Sequence, residues 1–449
     1  MAGNGRNRYA RLAWVALACL VVPMFASYYF DDMFSTLSHL FEHPENLALG
    51  WNAADYGLYT SGYSVLCVFG GLVICGMLLD KWGVRVTGSL FVGMMAGGAG
   101  LVAWAITAGL PPKTSLTLAY AGCMLFGLGS EIAGVAVTRS IAKWFKGRNM
   151  AFAMGLQLAI ARLGTAFALV ISPRLVAAKA AGETYSLAET ARPAMLGLGL
   201  MALGVLLWAF FVALDARFDR AAARDGRETG AATEPPFRFR DVLDLLKNKQ
   251  FIMIALLCVF FYSSIVSFKK FATAILIPRF GVPVEAASWM VSMLPFATVV
   301  FAPLFGMLVD KAGKGTRWMI LGSLLSFAAH LLLCFAPAGV PAYGYLSMVF
   351  LGFGYSLVPA AMWPSVPKVV PERVLGTAYA LIYWVQNLGL MFFKMAAGRL
   401  FQTSEEAVTG AFRTELMFVL VCVAALATAV LLRRSSRLRP DLRLDAPAS

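Results

Sequence analysis

Two ionisable residues stand deep inside adjacent apolar stretches of this sequence. Glu131 lies 14 residues before Phe145, which belongs to a short basic loop, and Arg162 lies 17 residues after it. At about 1.5 Å of rise per residue, two antiparallel helices would place both side chains about 21–25 Å from the loop. A charge inside a hydrocarbon layer about 30 Å thick is costly unless it faces a cavity or a partner. The spacing therefore predicts that Glu131 and Arg162 act as a pair.

The residues alone leave two interpretations of this pair open. An acid and a base at one depth can form a structural ion pair that locks two helices together. They can also bind a zwitterion, with Glu131 taking an ammonium group and Arg162 a carboxylate, and this is the interpretation that we favour. Gln157, five residues before Arg162, can hydrogen-bond a peptide group of the same ligand. Its alternative role is a hydrogen bond between two helices.

The composition indicates which elements must hold these residues. The 449 residues are 59% hydrophobic and 14% charged, with a mean hydropathy of +0.72. Soluble chains carry about 25% charged residues, so this composition indicates an integral membrane protein. Backbone polar groups in lipid need internal partners, so the fold is predicted to be all-α. The seven cysteines lie within apolar runs and have no spacing that suggests a metal site or a disulfide framework.

Twelve apolar runs form two groups of six. They lie near 12–30, 56–79, 87–109, 116–142, 150–172, 194–214, 251–278, 286–309, 317–337, 341–365, 376–400 and 412–432. The predicted domains are a six-helix bundle at 1–214, a cytoplasmic linker at 215–250, a second six-helix bundle at 251–433 and a cytoplasmic tail at 434–449.

The basic residues predict the orientation of the chain. Lys and Arg are concentrated in alternate loops and at both termini, whereas 31–55 contains five acidic residues and no Lys or Arg. We therefore expect 31–55 on the outer side, with both termini and the linker in the cytoplasm. The net charge of +14 follows from this topology and does not indicate nucleic-acid binding.

A short motif occurs in both halves, 230 residues apart. It reads GMLLDKWG from Gly76 and GMLVDKAG from Gly306. Repetition at half length is typical of secondary transporters. The motif and the twelve spans resemble the major facilitator superfamily. That resemblance implies two six-helix bundles around a central cavity, which rock between inward-facing and outward-facing states.

The resemblance also implies residues that gate the transport cycle. In the superfamily, the motif's aspartate caps and pairs at the cytoplasmic ends of helices, which assigns gating to Asp80, Arg85 and Asp310. Arg139 lies two turns from Glu131 toward the cytoplasmic side, and its position suggests gating or anchoring.

Longer motifs are spread over both halves. They include Gly-Ser-Glu131, Ala161-Arg162-Leu-Gly164, PLFGMLVDKAGK at 303–314 and GFGYSLVPAAMWPSVPKVVPE at 352–372. Together they resemble the major facilitator superfamily domain-containing protein 1 group, whose animal members are lysosomal dipeptide transporters. In that group the acid of helix 4 and the arginine of helix 5 are implied to hold the two ends of a dipeptide. The matching positions here are Glu131 and Arg162.

Three lysines depart from that group. Lys269 and Lys270 in span 7 and Lys394 in span 11 stand where the animal proteins look uncharged. If these lysines line the cavity, the cavity is basic and suits acidic dipeptides or small organic anions. The alternative is that their long side chains reach toward the outer interface.

Five further residues are candidates for the substrate site. Tyr28 or Tyr29 can help to bind the substrate, and Asp32 is either a cavity residue or a cap near the outer mouth. Trp363 precedes a proline that can form a gate hinge, and packing is its simpler role. Gln386 lies at a depth where it can meet the substrate or a neighbouring helix.

These observations predict a secondary transporter that moves dipeptides by alternating access, as a uniporter or together with a proton. The alternatives are an organic-anion exchanger or symporter with a basic cavity, and a receptor that does not transport. We find no phosphate-binding loop, no metal-ligand cluster and no nucleophile with a base in the sequence, and so expect no enzyme, cofactor or metal. We expect a monomer in a bacterial inner membrane, with a lysosomal membrane as the alternative. Its partners are the substrate and membrane lipid, with a proton if transport is coupled.

Overall fold

The computed structural model describes residues 2–145, 150–177, 179, 183–224, 243, 245–371, 374–404, 406–438 and 444–445. Within these ranges the regular structure is helical, apart from an isolated β-bridge between Leu47 and Tyr185. Most apolar runs of the sequence are too long for buried strands of a soluble domain, and helices satisfy their backbone groups internally.

Six crossings make up the first half. The helices are α1 (Ala2–Asp32), α2 (Ala53–Leu66), α3 (Leu72–Thr107), α4 (Pro112–Trp144), α5 (Met150–Leu175) and α6 (Leu187–Arg224). A π-helical segment at Cys67–Gly71 joins α2 to α3. The helix α3 is broken at Gly83, where φ is 75°, a backbone conformation that glycine adopts without a Cβ penalty. The second and third crossings therefore meet inside the repeated motif.

Six further crossings make up the second half. The helices are α7 (Lys249–Tyr262), α8 (Phe268–Phe280), α9 (Val284–Ala312), α10 (Gly315–Phe335), α11 (Pro341–Met362), α12 (Leu375–Gln402) and α13 (Ala407–Arg437). A π-helical segment at Ser263–Ser267 joins α7 to α8, so these two helices form one crossing.

Each of the twelve predicted spans coincides with helix, and the all-α membrane fold is confirmed. In the described part of the chain, ten helical stretches are long and apolar enough to cross a membrane. The other two crossings are the one interrupted at Cys67–Gly71 and α12, which carries Lys394 and Arg399. The sixth helix continues to Arg224, beyond the predicted end of the span at 214. Residues 225–242 and 244 of the predicted linker lie outside the described residues.

Glycines allow the helices to approach closely, as small residues do in membrane proteins. Gly164 on α5 abuts the backbone of Phe25 on α1. The two halves meet mainly where α2 packs on α12 and α5 packs on α9. At the first of these contacts Gly57 faces Gly398, near the outer ends of both helices.

Candidate functional site

Arg162 lies near the middle of α5 and reaches into the second half of the molecule. Its Nη1 donates a hydrogen bond of 2.9 Å to the hydroxyl of Tyr355 on α11. The guanidinium carbon lies 5.2 Å from the ring centroid of Tyr355 and 5.7 Å from that of Tyr28 on α1. Both distances suit cation–π attraction. Arg162 is therefore held between one tyrosine from each half.

Glu131 is held from a different direction. The hydroxyl of Tyr63 on α2 donates to Glu131 Oε1 at 3.1 Å, and the same hydroxyl lies 3.2 Å from Ser130 Oγ. Ser130 Oγ in turn lies 2.5 Å from Ser27 Oγ on α1. This polar chain fixes the part of α4 that carries Glu131 against α1 and α2.

Glu131 and Arg162 do not form an ion pair with each other. Each is the hydrogen-bond partner of a tyrosine on another helix, and the ion pairs among the described residues do not join the two. The interpretation as a structural ion pair is wrong, because each charge is held by a tyrosine of another helix. Thirteen residues separate Glu131 from the end of α4 and twelve separate Arg162 from the start of α5, so the two remain at similar depth.

An aromatic group from the second half extends this site. Tyr262 lies 6.0 Å, ring to ring, from Tyr355, and its hydroxyl accepts a 3.1 Å bond from Trp363 Nε1. The Trp363 ring stacks on Tyr383 at 5.1 Å, and Tyr379 donates to the Trp363 carbonyl. Trp363 therefore packs within a set of tyrosines that leads to Arg162.

Sequence reasoning missed the tyrosines that hold the two charges. Tyr63 and Tyr355 carry no charge, and nothing in their spacing marks them. The available signal was that Tyr355 lies in the long motif at 352–372.

The two neighbouring tyrosines of α1 point in different directions. Tyr28 lies beside Arg162, whereas Tyr29 is fully buried and donates to the carbonyl of Pro193 on α6. Tyr29 also packs against Phe167 at 5.7 Å. The structure therefore corrects the prediction that Tyr29 is available to the substrate.

The two predicted glutamines have different surroundings. Gln157 is half-buried on α5, about a turn and a half from Arg162 on the cytoplasmic side. Gln386 accepts a 3.1 Å bond from the Cys258 thiol and so ties α12 to α7.

An outer ion cluster closes the site on the side of 31–55. We define it as Asp31, Asp32, Lys269 and Lys270. Asp32 is 1% exposed; Lys269 Nζ lies 2.6 Å from its Oδ2 and Lys270 Nζ lies 2.9 Å from its Oδ1. Thr165 donates to Asp32 Oδ2 at 2.9 Å, and Lys270 also pairs with the Asp31 carboxylate at 3.0 Å. Asp32 is therefore no exposed cap, because it joins α1 to α8 in the buried interface.

A 3₁₀ helix at Ser35–Glu42 lies next to this cluster and packs on α8. Ser35 donates to Asp32, and Ser38 Oγ lies 2.9 Å from the Thr273 hydroxyl on α8. The first outer loop is thus attached to the second half of the molecule.

Lys394 is buried as well. It is 1% exposed, donates to the carbonyl of Thr60 on α2 at 3.3 Å and has its Nζ 5.5 Å from the Tyr63 ring centroid. The interpretation that the lysines reach the outer interface is wrong for Lys269, Lys270 and Lys394, because all three find acceptors inside the protein.

Residues 15–393 and, in a second match, 263–447 fit the family model described as Major Facilitator Superfamily. The chain belongs to the major facilitator superfamily.

Curated relatives within the superfamily carry a more specific name. The chain is 31% identical over 415 residues to the lysosomal dipeptide transporter MFSD1 of Danio rerio, covering 91% of this chain and 84% of the relative. It is 31% identical over 387 residues to the Bos taurus protein of the same name, covering 84% and 76%. Among solved structures, the nucleoside transporter NupG matches with a TM-score of 0.68 at 14% identity, over 93% of this chain and 99% of that one. That likeness concerns the fold alone.

The residues that the superfamily motif assigns to gating lie at the helix ends that the charge pattern predicts to be cytoplasmic. Arg85 is 3.3 Å from Asp219 and 3.8 Å from Asp215, both on α6, so it pairs within its own half. Asp310 is exposed at the end of α9. Arg139 is half-buried on α4, and the side chain of Asp80 lies outside the described residues. The gating roles of these residues remain predictions.

Proposed function

We propose that this protein is a secondary transporter that moves dipeptides by alternating access. The observation that carries the proposal is the arrangement of Glu131 and Arg162. They lie at similar depth in one half, on two helices that both contact α1, and each is hydrogen-bonded to a tyrosine and not to the other. A zwitterionic dipeptide offers one charge to each of them. Relatives at 31% identity are named dipeptide transporters, which supports the same class of substrate.

In the proposed complex, Glu131 binds the amino end of the dipeptide and Arg162 binds its carboxylate. Tyr28 lies beside Arg162, and Gln157, about a turn and a half away on α5, is assigned to the peptide bond. Arginine suits the carboxylate because its planar guanidinium can donate two parallel hydrogen bonds.

The energetics of closure favour the loaded state. Burying a charge costs free energy unless an opposite charge or hydrogen bonds compensate it. The substrate supplies both compensating charges at once, so the halves close around a dipeptide more easily than around an empty site. The hydrogen bond between Arg162 and Tyr355 gives the carboxylate end a direct contact with the second half.

An organic-anion transporter is the competing function. It requires a basic cavity, but Lys269 and Lys270 are already paired with Asp31 and Asp32. The pairing leaves Arg162 and Lys394 as its remaining cations, so the geometry favours the dipeptide.

Two aspects of the proposal concern coupling and location. If transport is coupled to a proton, Glu131 is the group that carries the proton. If the protein is a uniporter, Glu131 stays charged throughout the cycle. The short loops on the outer side support a bacterial inner membrane, whereas the names of the relatives give a lysosomal membrane as the alternative.

The decisive experiment measures the melting temperature of the purified protein with Ala-Ala, free alanine and glutarate. A ligand that binds the native state raises the melting temperature by mass action. We expect a rise with Ala-Ala that is absent in Glu131→Gln and in Arg162→Ala. Uptake of labelled Ala-Ala into liposomes, with and without a pH gradient, then tests transport and coupling.

Arg174→Ala is the matched control for Arg162→Ala. Arg174 stands on the same helix and is exposed near its outer end, so its loss should leave the response to Ala-Ala unchanged. A response to glutarate alone, or full transport by Arg162→Ala, would refute the proposal.

A further inference from the structure

Lys394 differs from the other two buried lysines of the interface. Lys269 and Lys270 each form an ion pair with Asp32 at less than 3.0 Å. Lys394, by contrast, makes one hydrogen bond, to a backbone carbonyl, and no carboxylate in the described part of the chain pairs with it. An ammonium group has three donors. The other two donors of this buried cation therefore have no hydrogen-bond partner among the described residues.

The position of Lys394 relates it to the amino end of the proposed substrate. Its ammonium group lies 5.5 Å from the Tyr63 ring centroid, and the hydroxyl of the same ring binds Glu131. A ligand whose ammonium group rests on Glu131 therefore presents the side chain of its first residue near Lys394.

The buried charges of the interface carry a net positive charge, which also favours an acidic substrate. In their usual charged forms, four cations and three acids connect the site to the outer ion cluster: Arg162, Lys269, Lys270 and Lys394 against Asp31, Asp32 and Glu131. A neutral zwitterion leaves this sum positive. A dipeptide with one acidic side chain has a net charge of −1 and balances it.

We infer that Lys394 is a specificity residue that binds the side-chain carboxylate of an acidic first residue, so that the preferred substrates are dipeptides beginning with Asp or Glu. The inference rests on the proposed function, because it uses Glu131 as the anchor of the amino end. It adds a third contact to those of Glu131 and Arg162.

The test compares Glu-Ala with Gln-Ala and Ala-Glu in equilibrium binding to the purified full-length protein. Glu-Ala and Gln-Ala differ only in the charge of the first side chain, and Ala-Glu moves the carboxylate to the second residue. We expect Glu-Ala to bind at least about tenfold more tightly than either, since charge-assisted hydrogen bonds in a buried site are the strong ones.

Lys394→Met keeps the length of the side chain and removes its charge, and we expect the ratio of Glu-Ala to Gln-Ala affinity to fall to about one. Lys113→Met removes an exposed lysine at the outer end of α4 and should keep the parental ratio. If Lys394→Met does not fold, the three dipeptides still decide the matter in the parent protein.

Failure of this inference can be told apart from failure of the proposed function. If Ala-Ala binds and Arg162→Ala abolishes that binding, but Glu-Ala has no advantage over Gln-Ala, only the role of Lys394 is overturned. The same holds if Lys394→Met retains the advantage. If no dipeptide binds and glutarate does, both proposals are wrong.

Discussion

Arg162 and Tyr355 stand 193 residues apart and form a hydrogen bond between the two halves of the molecule. The guanidinium also faces the Tyr355 ring, so the contact combines a hydrogen bond with cation–π attraction. A carboxylate bound at Arg162 therefore touches a group whose orientation depends on the second half. We therefore expect binding and movement of the halves to be coupled through this residue pair.

Replacement of Tyr355 by Phe tests that coupling. The variant keeps the ring but removes the hydroxyl that orients Arg162. We expect Ala-Ala affinity to fall by at least about tenfold, because one hydrogen bond to a charged group contributes about 1.5–3 kcal/mol. Isothermal titration measures the change. Tyr345→Phe, at an exposed position on the same helix, should have no effect. Equal affinity in the two variants would mean that Tyr355 does not orient Arg162.

Asp32→Asn tests the outer ion cluster. It leaves Lys269 without its ion-pair partner in the described structure, and breaking a buried pair on one side costs about 3–5 kcal/mol. We expect a marked fall in the unfolding midpoint, together with higher reactivity of a cysteine introduced at Thr165 toward a reagent added from outside.

The matched control for Asp32→Asn is an exposed ion pair at the same end of the molecule. Lys179 and Glu189 lie 2.9 Å apart, with about a quarter of each side chain accessible. Glu189→Gln should lower stability much less than Asp32→Asn does, because solvent screens the pair. A second test adds Lys269→Met to Asp32→Asn, which removes the orphaned charge and should restore part of the midpoint. An equal loss in Asp32→Asn and Glu189→Gln would show that burial of the cluster has no energetic weight.

Gly398→Val tests the close contact between α2 and α12. A Cβ at this position would lie 2.5 Å from the carbonyl oxygen of Ala53 and 3.0 Å from Cα of Gly57, so the outer ends cannot close as they do here. We expect uptake of dipeptide to fall at least about tenfold while Ala-Ala still protects the protein against heat. Gly97→Val, where an added Cβ has open space among the described atoms, should transport normally. Normal uptake by Gly398→Val would exclude this contact from the transport cycle.

Asp215→Asn tests the anchoring of α6 on the cytoplasmic side. Asp215 is buried and accepts hydrogen bonds from Lys143 at 2.8 Å and from Trp144 Nε1 at 2.9 Å. Loss of its charge leaves Lys143 with Asp219 as partner, so we expect a loss of about 1–3 kcal/mol in stability without a change in Ala-Ala affinity. Chemical denaturation and calorimetric binding measure the two quantities separately. An affinity change as large as the stability change would show that Asp215 and its partners are energetically coupled to the substrate site.

The fold followed from the sequence because the signals are long and repeated. Runs of apolar residues that exceed the thickness of a bilayer leave helices as the available structure. The depth of Glu131 and Arg162 also followed, since helical rise converts sequence spacing into distance.

The partners of Glu131 and Arg162 could not be predicted from the sequence, because they depend on packing between helices that are distant along the chain. Spacing along α4 and α5 suggested that Glu131 and Arg162 face each other, but each is hydrogen-bonded to a tyrosine of another helix. The pairing of Asp32 with Lys270 joins residues 238 positions apart, and neither sequence neighbourhood specifies the other. The orientation of Tyr29 depends on how closely α6 approaches α1. The sequence of α1 alone does not contain that information.

The 3₁₀ helix at Ser35–Glu42 has a consequence for the order of events at the outer face. It belongs to the first half by chain connection but is attached to α8 by Ser38 and Thr273. When the outer ends of the two halves separate, this segment has to break its contacts with α8 or unwind from the end of α1. The outer entrance can therefore open no faster than this segment is released from α8.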